Sequence, residues 1–179
     1  NYFEYASQQE LEACLAKAPK PWLPVGGGSN LLFSKPDVEG SVFRCTDTSH
    51  EVSQGSGYVR VRVGAGMRWD DFVALCVEHG WYGAENLSLI PGDVGAAAVQ
   101  NIGAYGCEIS DIISSVEVYD TQQGCGMTFF PDECGYAYRS SIFKQSCKPY
   151  FVLKVVFRLS TEPNFTLDYG RLGTIVGGE

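Results

Sequence analysis

The sequence predicts an α+β fold in two parts, not a doubly wound parallel sheet. Strand-like alternation outnumbers helical spacing along the chain, and several strand candidates are joined by short Gly- or Asp-containing turns, as in hairpins. The chain turns polar near Thr46–His50, which places a boundary between residues 1–47 and residues 48–179. With 179 residues and 45% hydrophobic content, the chain is long enough for two small units or one large one.

Taken in order, Ser7-Gln8-Gln9-Glu10 has the S-x-x-E form of a capping box, and Leu11, Cys14 and Leu15 follow at helical spacing. This predicts a helix over about Gln8–Lys17. "WLPVGGGSNLLF" reads as strand, glycine loop and apolar segment, and "GSVFRC" as another short strand. Beyond the boundary, Glu51–Gln54 and "YVRVRV" flank Gly55-Ser56-Gly57 as a hairpin. In "MRWDDFVALCVEHG", Phe72, Leu75, Cys76 and His79 share one helical face and Gly80 sits at the C-cap position. His79 reads as a packing or dipole-favoured residue of that last turn, not a ligand. "SSVEVYD" and "GMTFF" form a second hairpin around Thr121–Cys125, and "PYFVLKVVFRLS" is a long strand of mixed burial.

The formal net charge of −8 and the pI near 4.7 argue against nucleic acid or an anionic membrane as partner. No apolar run approaches the ~20 residues of a membrane span. "NYFEYASQQE" has neither the basic region nor the apolar core of a secretory signal. Seven scattered cysteines without a CxxC pair, and two distant histidines, favour reduced thiols in a cytoplasmic protein over disulfides or a metal site.

Three glycine-rich segments remain: "VGGGSN", "GAGMRW" and "LIPGDVGAAAVQNIGAYG". The second follows a strand and precedes a helix, but Trp69 stands where a dinucleotide fingerprint needs its third glycine. The first has no Lys-Ser/Thr and is not a P-loop. Each is a tight turn by itself; together they suggest backbone amides converging on an anion, with Gly26–Gly28 as a nest and Ser29 and Asn30 adding side-chain hydrogen bonds. Small residues in the third segment imply that something flat or bulky lies close to the backbone.

"GGGSNLLF", "GAENLSLIPGDVGAAAVQNIGAYG" and "YAYRSSIFK", in this order and at these spacings, resemble the UDP-N-acetylenolpyruvoylglucosamine reductases of peptidoglycan synthesis. "FTLDYG" resembles the branch of that family with a substrate-binding tyrosine in a late loop. The resemblance covers nearly the whole chain. It implies the two-subdomain FAD-binding fold of the vanillyl-alcohol-oxidase type and non-covalent FAD reduced by NADPH. The implied substrate is a UDP-sugar enolpyruvyl ether. Gly26, Gly27, Gly28, Ser29 and Asn30 would hold the FAD diphosphate. Ile90, Pro91, Gly92, Val94, Gly95, Ala96, Gln100 and Gly103 would line the diphosphate and ring.

Arg139 matches the family's catalytic arginine, a guanidinium suited to pairing with a carboxylate on which charge develops. Read without the resemblance, it would pair with Asp132 or Glu133 at the surface. Tyr105 and Tyr138 correspond to substrate-pocket residues, though Tyr105 also reads as an ordinary packing aromatic. Lys144 meets a phosphate or is solvated, and Tyr169 sits in the loop that closes over the UDP moiety. The family's proton-donating serine in a "GSFFKNP"-like motif and its late glutamate have no match. The expectation is therefore a portion of a larger enzyme, inactive alone. A flavin oxidase of the same fold and a non-catalytic flavin-binding module are the alternatives.

Overall fold

The computed structural model describes residues 1–145, 150–170 and 172–177. The first three strands are β1 (Tyr2–Tyr5), β2 (Trp22–Val25) and β3 (Ser41–Cys45), with helix α1 (Gln8–Leu15) between β1 and β2. They form a parallel sheet in the order β1-β3-β2. Pro24 is tolerated because β2 is an edge strand, where one missing N–H leaves no ladder gap on the open side. β1 carries no hairpin signal; its extended shape follows from pairing with β3, from Tyr2 opposite Val42 to Tyr5 opposite Cys45. α1 starts where the capping box places it: Ser7 Oγ accepts from Glu10 N at 3.2 Å, and the Glu10 carboxylate accepts from Ala6 N at 2.8 Å. It ends at Leu15, earlier than its spacing suggested, because the Cys14 carbonyl accepts from both Lys17 and Ala18 N–H as the chain turns toward Pro19.

The second sheet is antiparallel. Its strands are β4 (His50–Gln54), β5 (Tyr58–Gly64), β8 (Ile113–Asp120), β9 (Cys125–Phe129) and β10 (Tyr150–Ser160), in the order β4-β5-β10-β8-β9. Helices α2 (Trp69–Glu78) and α3 (Val94–Gln100) separate β5 from a two-residue-per-strand ribbon, β6 (Gly103–Ala104) and β7 (Cys107–Glu108). Short helices α4 (Ile142–Gln145) and α5 (Leu172–Gly177) precede and follow β10. The C-cap of α2 is His79, one residue before the Gly80 expected there, and Gly80 follows at φ +66°. His79 packs as expected, with Nδ1 2.9 Å from the Leu75 carbonyl and the ring stacked on Trp81. The α3 helix replaces what read as a loop. Its alanines are strong helix formers, and Ala97 and Ala98 are buried in the core, so the small residues serve protein packing as well as open space.

β10 explains its own mixed pattern by lying at the centre of the sheet with bulky partners on each side. Phe151 packs edge-on against Phe43 of β3 at 5.2 Å, and Phe157 stacks on Phe72 of α2 at 4.5 Å. One strand thus ties both sheets and the main helix into one core. A register shift between Val152 and Lys154 brings the Lys154 ammonium to Asp47 and Ser49 Oγ, each at 2.8 Å.

Burial of Asp47 raises its pKa, but hydrogen bonds from Lys154 and Ser49 outweigh this and hold it below the usual aspartate value. A group lowered on folding stabilises above its unfolded pKa and loses that contribution as pH falls through the folded value. Lys154→Met is therefore expected to cost about 2–3 kcal/mol at neutral pH by leaving a little-exposed carboxylate unpaired. Urea unfolding should show the gap between wild type and variant closing as pH drops below about 4; a gap independent of pH would refute the pairing as its source. Among the described residues Cys14, Cys45, Cys76, Cys107, Cys125 and Cys134 are free thiols; Cys147 lies outside them.

Candidate functional site

A cavity of about 520 Å³ opens where the two sheets meet, within the range of ~300–1,000 Å³ typical of small-molecule sites. One wall is the β2 strand and the glycine turn that follows it, from Trp22 to Leu31. The opposite wall is α3, through Gly95, Ala96, Val99 and Gln100, with Phe143 and Lys144 of α4. Tyr5, Cys45, Tyr150 and Val152 close the inner end.

The sequence places glycine where these walls come close. A Cβ on Gly26 would lie 2.8 Å from the Ala96 Cβ, and one on Gly27 would lie 3.2 Å from an Asp93 carboxylate oxygen. Gly28, with φ +76°, turns the chain with open space beside it. Two hydrogen bonds stitch the turn to the facing segment. Asn30 Nδ2 donates to Gln100 Oε1 at 2.6 Å, and Ser29 Oγ donates to the Pro91 carbonyl at 3.3 Å.

The expected cofactor residues separate into groups. Gly26, Gly27, Gly28, Ser29, Asn30, Gly95, Ala96 and Gln100 line the cavity, and so does Lys144, which was expected on the substrate side. Pro91 and Gly92 adjoin its wall, and Ile90 packs partly buried against the core. Val94 faces the core, fully buried, with its N–H held by the Met67 carbonyl at 2.8 Å. Gly95 answers in part to a different constraint from the one its sequence suggested. A Cβ there would come within 2.8 Å of Ala65, so the glycine lets α3 sit against the end of β5. The "GAGMRW" turn does not join the other glycine loops around an anion: Gly64 and Gly66 are buried against the Asp47 and Cys45 carbonyls, and only Ala65 of that turn reaches the cavity.

A second cluster forms outside the cavity around the β6–β7 ribbon. Arg139 Nη2 donates to the Gly103 carbonyl at 2.6 Å, so this arginine rests on the ribbon. The Tyr105 ring meets Tyr169 edge-on at 5.9 Å, and Tyr138 stands exposed beside the Arg139 guanidinium. Arg139 occupies the third position of a tight turn in which Ala137 and Ser140 exchange backbone hydrogen bonds. Its φ of +54° is one that side chains adopt only under strain. Lys144 connects the two clusters: it lines the cavity while its Nζ donates to the Arg139 carbonyl at 3.1 Å.

Several contributors carry no sequence signal. Asn101, buried in the left-handed region at φ +45°, donates to Glu108 at 2.8 Å and to the Ala137 carbonyl at 3.0 Å, anchoring the turn that bears Arg139. Its place just after α3 is the only hint. Tyr5, Cys45, Phe143 and Tyr150 reach the cavity from four elements distant in sequence. Burial raises the pKa of both the Tyr5 hydroxyl and the Cys45 thiol, so both stay protonated near neutrality. No group of three metal-ligating side chains occurs among the described residues.

A glycine turn facing a small-residue helix across a cleft between two sheets leaves room for a nucleotide-sized ligand close to the backbone. The chain belongs to the FAD binding domain family, whose pattern matches residues 2–125. Within that class its relatives are specific. UDP-N-acetylenolpyruvoylglucosamine reductase of Bacteroides fragilis (strain YCH46) is 50% identical over 175 residues, covering 96% of this chain and 52% of that protein. The enzyme of the same description from Pseudomonas aeruginosa is 43% identical over 166 residues, covering 92% of this chain and 49% of that protein. The chain thus spans about half the length of the curated relatives it matches.

Among solved structures, UDP-N-acetylenolpyruvylglucosamine reductase from Thermus caldophilus superposes with a TM-score of 0.75 at 28% identity, over 89% of this chain and 55% of that one. Cholesterol oxidase from Brevibacterium sterolicum superposes with a TM-score of 0.59 at 15% identity, over 90% of this chain and 34% of that one, and shares the fold alone. The fold is the α+β FAD-binding type that the resemblance implied.

Proposed function

We propose that this chain is the flavin-binding portion of a reductase that converts a UDP-N-acetylglucosamine enolpyruvyl ether to UDP-N-acetylmuramate with NADPH, in cytoplasmic peptidoglycan precursor synthesis. The observation that carries the reading is the cavity between the Gly26–Asn30 turn and α3, in a chain of the FAD binding domain family. The residues present fit the cofactor: glycines leave room where any Cβ would collide, and a buried carboxylate oxygen of Asp93 awaits a donor. Non-covalent attachment is supported by Cys45, the cavity cysteine, whose burial keeps it a thiol and a poor nucleophile.

When bound, FAD supplies hydride transfer between a nicotinamide and the enolpyruvyl double bond. The protein's part is placement. The turn at Gly26–Gly28 with Ser29 and Asn30 holds the diphosphate through N–H and side-chain donors. Arg139 leaves the Gly103 carbonyl to pair with the substrate carboxylate, where its fixed charge stabilises the developing anion. Tyr105, Tyr138 and Tyr169 exclude water around the substrate, and Lys144 neutralises a phosphate. We take residues 1–47 and 48–179 as two subdomains flanking the cofactor, with proton donation supplied by the longer protein.

The chain, expressed alone, is expected to copurify with FAD or to take it up, and acid precipitation should leave the flavin in the supernatant. The full-length protein should oxidise NADPH only when given the enolpyruvyl nucleotide, whereas the 179 residues alone should not. A flavin that stays with the acid precipitate would remove the non-covalent assignment. A full-length protein inert toward NADPH and the enolpyruvyl nucleotide would remove the reaction.

A further inference from the structure

Asp93, the residue before α3, is an acid for which the function just proposed names no partner. It is 3% exposed, lines the cavity, and lies beneath the glycine turn, with both carboxylate oxygens within 3.6 Å of a Cβ built on Gly27. Its Oδ2 has no hydrogen-bond partner among the described residues. The nearest cation, Arg44 Nη2, stands 3.7 Å away, beyond hydrogen-bonding distance, and Arg68 acts only through its field. A buried carboxylate oxygen without a donor is costly, and natural proteins rarely leave one so. Burial accordingly raises the Asp93 pKa, with Arg44 and Arg68 pulling the other way.

A carboxylate is an acceptor and repels phosphate, so what completes it from the cavity must be a neutral donor. A dinucleotide flavin carries neutral donors on its ring N3–H, its adenine amino group and the hydroxyls of its ribityl chain and ribose. The hydroxyls flank the diphosphate directly and so lie nearest a carboxylate set beneath the glycine turn. We infer that Asp93 is a cofactor-binding residue whose carboxylate accepts a hydrogen bond from a sugar hydroxyl of the flavin nucleotide and keeps the diphosphate at the Gly28–Asn30 end of the cavity. This rests on the flavin reading above. It makes the carboxylate without a donor a specificity device, since the donor that satisfies it arrives with the ligand.

The test uses apo chain, with titrations of FAD, riboflavin and ADP followed by flavin fluorescence or calorimetry, and thermal unfolding of each apo protein. In Asp93→Leu the FAD Kd should rise about 10- to 100-fold, as for loss of a hydrogen bond to a charged group. The apo melting temperature should change little, because loss of an acceptor without a donor is offset by loss of the 3.7 Å ion pair with the half-exposed Arg44. A matching loss for riboflavin assigns the ribityl hydroxyls, and a matching loss for ADP assigns the ribose. Unchanged FAD affinity, or a loss that merely tracks a lower apo melting temperature, overturns the inference. Should the leucine variant not fold, Asp93→Asn is the second probe: it keeps the shape and one acceptor, so Kd should rise several-fold at undiminished stability, and an unchanged Kd overturns the inference. Wild-type chain that takes up no FAD defeats the flavin reading itself, a result distinct from either.

Discussion

Gly26→Val is expected to weaken flavin binding by up to about 100-fold while leaving a folded chain. The added Cβ would sit 2.8 Å from the Ala96 Cβ, across the cavity's narrow part, so the side chain must either push α3 away or occupy the cofactor's space. Overpacking of this kind costs about 1–3 kcal/mol. The free chain can relax into the open cleft whereas the bound form cannot, so the cost falls mainly on the holo form and the FAD Kd should rise about 10- to 100-fold. Fluorescence titration measures the loss, and thermal unfolding of the apo chain should show a smaller penalty than the FAD-loaded comparison. The same substitution at Gly28, whose Cβ would meet nothing within 4 Å, would strain the positive φ without filling the gap, and should reduce stability more than it reduces affinity. Equal flavin affinity in wild type and Gly26→Val would mean that the cofactor does not lie between these walls.

In the full-length protein, Arg139→Lys is expected to lower kcat about 100- to 1,000-fold, the usual effect of removing one positioned group that stabilises developing charge. Lysine keeps the charge but not the planar fork. Flavin affinity should not change, because Arg139 lies on the β6–β7 ribbon outside the cavity, its carbonyl joined to a cavity residue through Lys144. Arg139→Gly sharpens the test. Glycine adopts φ +54° without strain, so this variant should be at least as stable as wild type and yet as inactive as the lysine variant. An arginine that merely held the ribbon would give the opposite pattern, with lower stability and preserved turnover.

How legible the site was differs by element. The Gly26–Asn30 turn could be read directly, because a run of glycines between an apolar strand and Ser-Asn has few uses other than close approach, and the turn does line the cavity. The stretch from Pro91 to Gly103 was legible only as small. Its spacing could not tell that Ala97 and Ala98 face the core, Gly95 faces Ala65, and Ala96 faces the glycine turn, since smallness serves all three. Asp93 was illegible: an acid beside a phosphate-type loop gives no periodic signal, and its meaning comes from being buried without a donor. Tyr5, Cys45, Tyr150 and Val152 were illegible for another reason, as they meet only because β1, β3 and β10 are brought together.

By itself, the order of residues determined what depends on near neighbours: the capped first helix, the two hairpins, the α2 face of Phe72 and Cys76, and the glycine turn with its Ser-Asn donors. These follow from backbone freedom and side-chain period over a few positions, which the chain carries wherever it lies. The tertiary structure alone decided that β1, β2 and β3 run parallel, that β10 sits between β5 and β8 and joins both sheets through Phe151, and that a cleft is left at their junction. Strand order and the distance between walls are set by which apolar faces can be buried together at once, and that is a property of the whole packed chain.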